Sequence, residues 1–117
     1  MAVTLPWPSP ALSPNARVHR MAKAKAASKY RAACGWAAKA AGLGKVEAEA
    51  LHLTLEFCPP DNRRRDLDNM HASFKAGADA LADVLGVDDH RFAITLRRAA
   101  STPGGAVHVT IEKDATP

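Results

Sequence analysis

The chain is short of cysteine, lacks any long apolar run and carries no charged leader ahead of a hydrophobic segment. Its two cysteines, Cys34 and Cys58, lie far apart, without the paired spacing of a zinc site or the density of a disulfide framework. A structural zinc centre needs about four soft ligands, and the five histidines show no metal-ligand spacing with those thiols. Both thiols are therefore expected to be buried or half-buried, and zinc is not expected. No stretch approaches the roughly 18 apolar residues that cross a bilayer, and Pro6, Pro8 and Pro10 break the amino terminus. These absences lead to the expectation of a cytoplasmic protein with no membrane partner.

What is there suits one globular domain. The 117 residues are 47% hydrophobic, enough for one modest core, and no internal repeat divides them. Lys and Arg number 16 against 12 Asp and Glu, a net charge of +4 that is compatible with a polyanionic partner.

Val3-Thr4-Leu5 reads as a short first strand, ended by Pro6, Pro8, Pro10 and Pro14. Residues from about 20 to 41 are rich in alanine, the best helix former, with Ala26, Tyr30, Ala33, Ala37 and Ala41 on one face. Gly42 and Gly44 offer a stop. From Leu51 the period becomes two, Leu51, Leu53, Leu55 and Phe57 alternating with polar residues until Pro59-Pro60. A second helix is expected over about 67 to 85, its stripe formed by Met70, Phe74, Ala78, Leu81 and Leu85, with Asp66 or a neighbour as cap and Gly86 as stop. Phe92, Ile94 and Leu96 alternate again, as do Val107, Val109 and Ile111, and Thr102-Pro103-Gly104-Gly105 between them suggests an antiparallel hairpin. The order β-α-β-α-β-β implies an α/β fold, a small mixed sheet of about four strands with two helices on one face. The proline-rich loop and the residues after Lys113 are expected to be the mobile parts.

The chemistry concentrates in Arg63-Arg64-Arg65-Asp66-Leu67-Asp68-Asn69 and in Asp88-Asp89. Arginines can hold a phosphate backbone, and paired carboxylates can hold the divalent ion, Mg²⁺ or Mn²⁺, that activates water against phosphorus. On one continuous helix, Asp68, Lys75 and Asp79 fall within about 40° of one another, so a lysine able to stabilise phosphoryl charge shares a face with a carboxylate. Arg17, Arg20, Lys23, Lys25 and Lys29 form a second basic reservoir for DNA. Each part has an ordinary structural use as well: Asp and Asn cap helices, Asp88-Asp89 suits a polar turn, and arginine runs are often solvated. His19, His71 and His90 can carry protons, but all suit surface positions, and Trp7 and Trp36 suit a core as readily as a base stack.

Taken in order, Arg64-Arg65-Asp66-Leu67-Asp68-Asn69, Lys75-Ala76, Asp79-Ala80-Leu81 and Gly86-Val87-Asp88-Asp89 resemble the RusA-type Holliday-junction resolvases, as do Leu5-Pro6-Trp7-Pro8 and Pro14-Asn15. The resemblance spans most of the chain. It implies a homodimeric, Mg²⁺-dependent endonuclease that cuts four-way DNA junctions by paired nicks in recombination and repair, often encoded by phages or prophages. It further implies that Asp66, Asp68 and Asp89 are essential carboxylates, Asp88 a further acidic ligand and Lys75 the catalytic lysine. One departure is visible. Lys75 lies seven residues after Asp68 instead of four, which keeps its helix face but moves the amine about 4.5 Å along the axis.

A continuous helix over 67 to 85 would hold the two acidic pairs roughly 27 Å apart, too far for one ion. Either a twofold-related partner supplies Asp88 and Asp89, or the helix bends or ends near Gly77 and folds back. The competing readings are a catalytically silent DNA-binding or assembly module and a nuclease for other branched DNA.

Overall fold

Alternation in the sequence places the central strand. In the computed structural model, which describes residues 1–114, β2 (Leu51–Cys58) buries Leu51, Leu53, Leu55 and Phe57 completely and turns His52, Thr54 and Glu56 to the other face. A slip of one residue would expose all four apolar side chains, so the register is fixed by burial. Beside β2 lies β4 (Ala106–Lys113), antiparallel, with Val107, Val109 and Ile111 on the same buried face. Next to β4 comes β1 (Ala2–Pro6), also antiparallel, which contributes Val3 and Leu5. Pro6 closes β1 at the sheet edge, where a missing amide donor is tolerated.

The sheet order is β1-β4-β2-β3, and β3 (Phe92–Arg98) runs parallel to β2. The expected hairpin of the last two strands does not form: β3 and β4 flank β2 on opposite sides. Turn residues alone cannot distinguish the two arrangements. Skipping one strand requires about 10 Å, which the seven residues 99–105 span easily. Burial decides the matter, because β4 covers its apolar face only in the centre, whereas β3 at the edge leaves Ile94 36% exposed.

One face of the sheet is covered by α1 (Arg20–Ala40) and α3 (Lys75–Leu85), which also pack on each other. The buried line of α1 is Tyr30, Cys34 and Ala38, one helical step from the expected alanine face, and Ala33 and Ala41 are exposed. The large Tyr30 sets this rotation: its hydroxyl donates to the Pro6 carbonyl at 2.6 Å and its ring meets Phe74 edge to face. Both cysteines are buried and unbridged.

The second expected helix is two. α2 (Leu67–Ser73) ends at Phe74, where the Phe74 amide donates to the His71 carbonyl in a tight turn before α3 begins. Gly77 lies against the Phe74 ring, so the position singled out from sequence matters, but the interruption falls three residues earlier. Amides of Gly77 and Ala78 both donate to the Phe74 carbonyl, which continues the helical path instead of folding it back. Gly86, with φ 71°, caps α3 in the left-handed region as expected.

The proline-rich segment is built rather than loose. Ser9 caps a 3₁₀ turn over Pro10–Leu12, and Leu12 is buried in the core. Of the carboxyl-terminal residues expected to be mobile, those after Asp114 lie outside the described residues. No helix among the described residues is long and apolar enough to cross a membrane.

Candidate functional site

Beyond Pro59-Pro60 the chain turns about one carboxylate. Asp61 accepts from the Arg63 amide at 2.9 Å, from Arg65 Nη1 at 2.8 Å and from Arg63 Nη2 at 3.3 Å. The Arg65 hydrogen bond, followed by the Arg63 amide, holds the Asp61 carboxyl at about 2. Arg65 also donates to the carbonyls of Asp61 and Arg63 and lies 5.9 Å from the Trp7 ring centroid. The three arginines are thus divided by geometry: Arg65 ties the loop to Trp7, Arg63 is exposed but keeps a long contact with Asp61, and Arg64 extends into solvent.

Asp66 occupies the amino-terminal cap position of α2, yet its carboxylate makes no capping hydrogen bond. Asp68, in the first turn, is exposed like Asp66. Asp66 therefore does not have the routine structural use that its position suggests, and its oxygens stay available. It borders a cavity of about 860 Å³ that Arg63, Arg64, Asn69, Asn15 and Trp7 also line.

The second acidic pair has a different setting. Asp88 caps the 3₁₀ turn Asp89–Arg91, accepting from the His90 amide at 3.2 Å and pairing with His90 Nδ1 at 2.8 Å. Those two contacts with His90, led by the imidazole, hold the Asp88 carboxyl at about 2, with Asp89 adding a smaller contribution. Here the turn-capping reading of the sequence holds for Asp88. Asp88 and Asp89 border a separate cavity of about 400 Å³ with Asp79, Asp83 and Arg31, and Arg31 pairs with Asp83.

Lys75 opens α3, 74% exposed, and pairs with Asp79 at 3.5 Å within the helix. With the interruption at Phe74, Asp68 and Lys75 belong to different helices, so their common face cannot be argued from one continuous 3.6-residue period. Lys75, Arg20, Lys23 and Asp79 line a third cavity of about 510 Å³, which meets the first at Ser73. Arg17, Lys25 and Lys29 are exposed and line none of these cavities. Of the histidines, His19 caps α1 through Nδ1, His71 is half-buried on α2 and His90 serves Asp88. Trp7 packs edge to face on Phe57, whereas Trp36 is 76% exposed on α1.

Among the described residues, no three His, Cys, Asp or Glu side chains converge closely enough to hold a metal ion. The expected ligands Asp66, Asp68, Asp88 and Asp89 are therefore not brought together within one chain.

One pair of residues was marked only as part of the resembling motifs, and another was not singled out by sequence reasoning at all. Asn15 and Asn69 both line the first cavity although 54 positions separate them, a shared place that no local pattern reveals. Arg97 and Arg98 stand opposite Glu56 and Phe57 in the β2–β3 register, and the Ser101 hydroxyl donates to Asn62 at 2.8 Å, so these exposed arginines share the end of the sheet with the 61–66 loop. The adjacent pair was visible in the sequence, but its place required the parallel pairing of β2 and β3.

No family model matches the chain. It is similar to an uncharacterized protein of Xylella fastidiosa (strain Temecula1 / ATCC 700964), 44% identical over 94 residues that cover 78% of this chain and 61% of that protein. The aligned segment therefore spans about three-fifths of the relative's length.

Proposed function

We propose that the chain is a structure-specific, divalent-metal-dependent endodeoxyribonuclease that acts as a homodimer on four-way DNA junctions. The observation that carries the reading is Asp66: a carboxylate at a cap position that makes no capping bond, two residues from exposed Asp68 and close in sequence to the exposed Arg63 and Arg64. Arginines in this place attract and hold a phosphate backbone, and unengaged carboxylates next to them are repulsive to DNA unless a cation intervenes. The ordered likeness to RusA-type resolvases supplies the junction as substrate and the paired nick as outcome.

One chain does not fit the ion, because Asp66 borders one cavity and Asp88 and Asp89 another, and no three such side chains converge among the described residues. The reading therefore requires a second copy that brings its Asp88 and Asp89 to Asp66 and Asp68. In that arrangement Asp88 would have to give up part of its bond to His90. Lys75, separated from the carboxylates by the turn at Phe74, is retained as a phosphate-orienting group beside Arg20 and Lys23.

The test is direct. Purified protein is incubated with synthetic four-way and linear DNA, in Mg²⁺ or in chelator. Symmetric nicking of the junction with metal alone supports the reading; binding without nicking at any Mg²⁺ or Mn²⁺ concentration favours a catalytically silent DNA-binding module, and equal cutting of flaps favours a broader branched-DNA nuclease.

A further inference from the structure

We infer that the cavity between the proline-rich segment and the 61–66 loop is a nucleotide subsite, which takes one base of the bound strand out of its stack and reads it with Asn15 and Asn69. This rests on the DNA-binding reading above and extends it to a specific contact.

The volume of about 860 Å³ lies within the range that holds a small organic ligand. Its lining is a mixture suited to a nucleotide: Trp7 and Met70 offer apolar surface, Asn15 and Asn69 offer amides, and Arg63 and Arg64 can meet the phosphates on either side. Neither side-chain amide makes a hydrogen bond within the described residues; Asn15 uses its backbone amide toward Ser13, and Asn69 its carbonyl toward Ser73. An Asn side chain presents a donor and an acceptor side by side, the pattern on the edge of a base.

The proline-rich wall is shaped by contacts of its own. Pro8 and Pro10 restrict the backbone, Ser9 and Ser13 each accept a local amide, and Leu12 is anchored in the core. Gly105, at φ 72°, passes so close to Trp7 that a Cβ there would sit 2.8 Å from the indole side chain. A preformed cavity loses little ordering entropy on binding. Asp66 on its rim places the extruded nucleotide next to the phosphate to be cut.

Trp7 and Trp36 are the two tryptophans, so Trp36→Phe leaves Trp7 as the reporter of the cavity. This protein is titrated, in chelator, with deoxytrinucleotides and with a trinucleotide whose central base is missing. Saturable change in Trp7 emission is expected, weakened about tenfold both by loss of the base and by Asn15→Ala. An unchanged emission, or equal affinity for the abasic strand, or an Asn15→Ala protein that binds like its parent, would overturn the subsite. Because nothing is cut in this titration, a protein that binds as expected but never nicks junctions loses the nuclease reading alone; one that nicks junctions while Trp7 stays silent loses the subsite alone.

Discussion

Replacing Gly77 by alanine tests how the break between α2 and α3 is held. In an ordinary helix interior this change stabilises by about 1 kcal/mol, since alanine loses less backbone freedom on folding. At Gly77 the added Cβ would lie 2.6 Å from Phe74 Cε1 and 3.0 Å from Cδ1 and Cζ. The ring has nowhere to go: it is completely buried and meets Tyr30 and Phe57 edge to face, with centroids 6.3 and 6.1 Å away. Overpacking of this kind costs about 1–3 kcal/mol. The clash should outweigh the helix gain, leaving Gly77→Ala about 1 kcal/mol less stable and lowering Tm by about 4 °C for a domain of this size. Gly35 of α1 is the control, because a Cβ there meets nothing within 4 Å, so Gly35→Ala should gain up to about 1 kcal/mol. Thermal and urea unfolding of both variants measure the difference. A Gly77→Ala protein as stabilised as Gly35→Ala would show that Phe74 repacks freely and that the turn is not set by this contact.

Other perturbations address the site. Asp68→Asn should cut junctions at least about a hundredfold more slowly while binding them as well as or better than the parent, because a charge facing the phosphates is removed; cutting at the parental rate by a folded variant would remove Asp68 from the reaction. The double change Arg63→Ala, Arg64→Ala should weaken junction binding and lower the slope of log affinity against log salt by up to about 1.8, read by a salt titration; an unchanged slope would free both arginines of phosphate contact. Asp61 tests the loop through acid. Its carboxyl is held at about 2, chiefly by Arg65, so its contribution is full above the ordinary value of 3.8 and is lost as pH falls from there through about 2. Thermal melts between about pH 2 and 5 should show a smaller acid loss in Asp61→Asn than in the parent, the remainder including that of Asp88, which is held low in the same range.

The sequence carried the strands and their faces more fully than their neighbours. Leu51 to Phe57 and Val107 to Ile111 could be assigned to one buried face because alternation is a local property. That β4 sits between β1 and β2 depends on burying both apolar faces at once, and the Thr102 to Gly105 turn hid it by looking like a hairpin. The second helix shows the same division. Met70, Phe74, Leu81 and Leu85 do form its buried side, but the helix is interrupted at Phe74, whose ring lies against Gly77, a contact that periodicity does not encode. At the site, the sequence marked the aspartates but not their engagement. Asp66 looked like a cap and does not act as one, whereas Asp88 does, because the short turn after Val87 gives it the His90 amide and imidazole. Arg65 looked equivalent to its two neighbours until Trp7 and Asp61 were brought against it by the fold.

The central claim is that carboxylates from two copies of the chain make one site, and subunit mixing tests it most directly. Asp68→Asn and Asp89→Asn proteins should each be inactive. Coexpressed, they form a mixed dimer in which one composite site has lost both aspartates and the other keeps its full set. That dimer should nick one strand of a junction without the paired second cut, so restored single nicks are expected from the mixture alone. If the wild type cuts while the mixture stays as silent as either variant, each site draws its aspartates from a single chain and the account is contradicted.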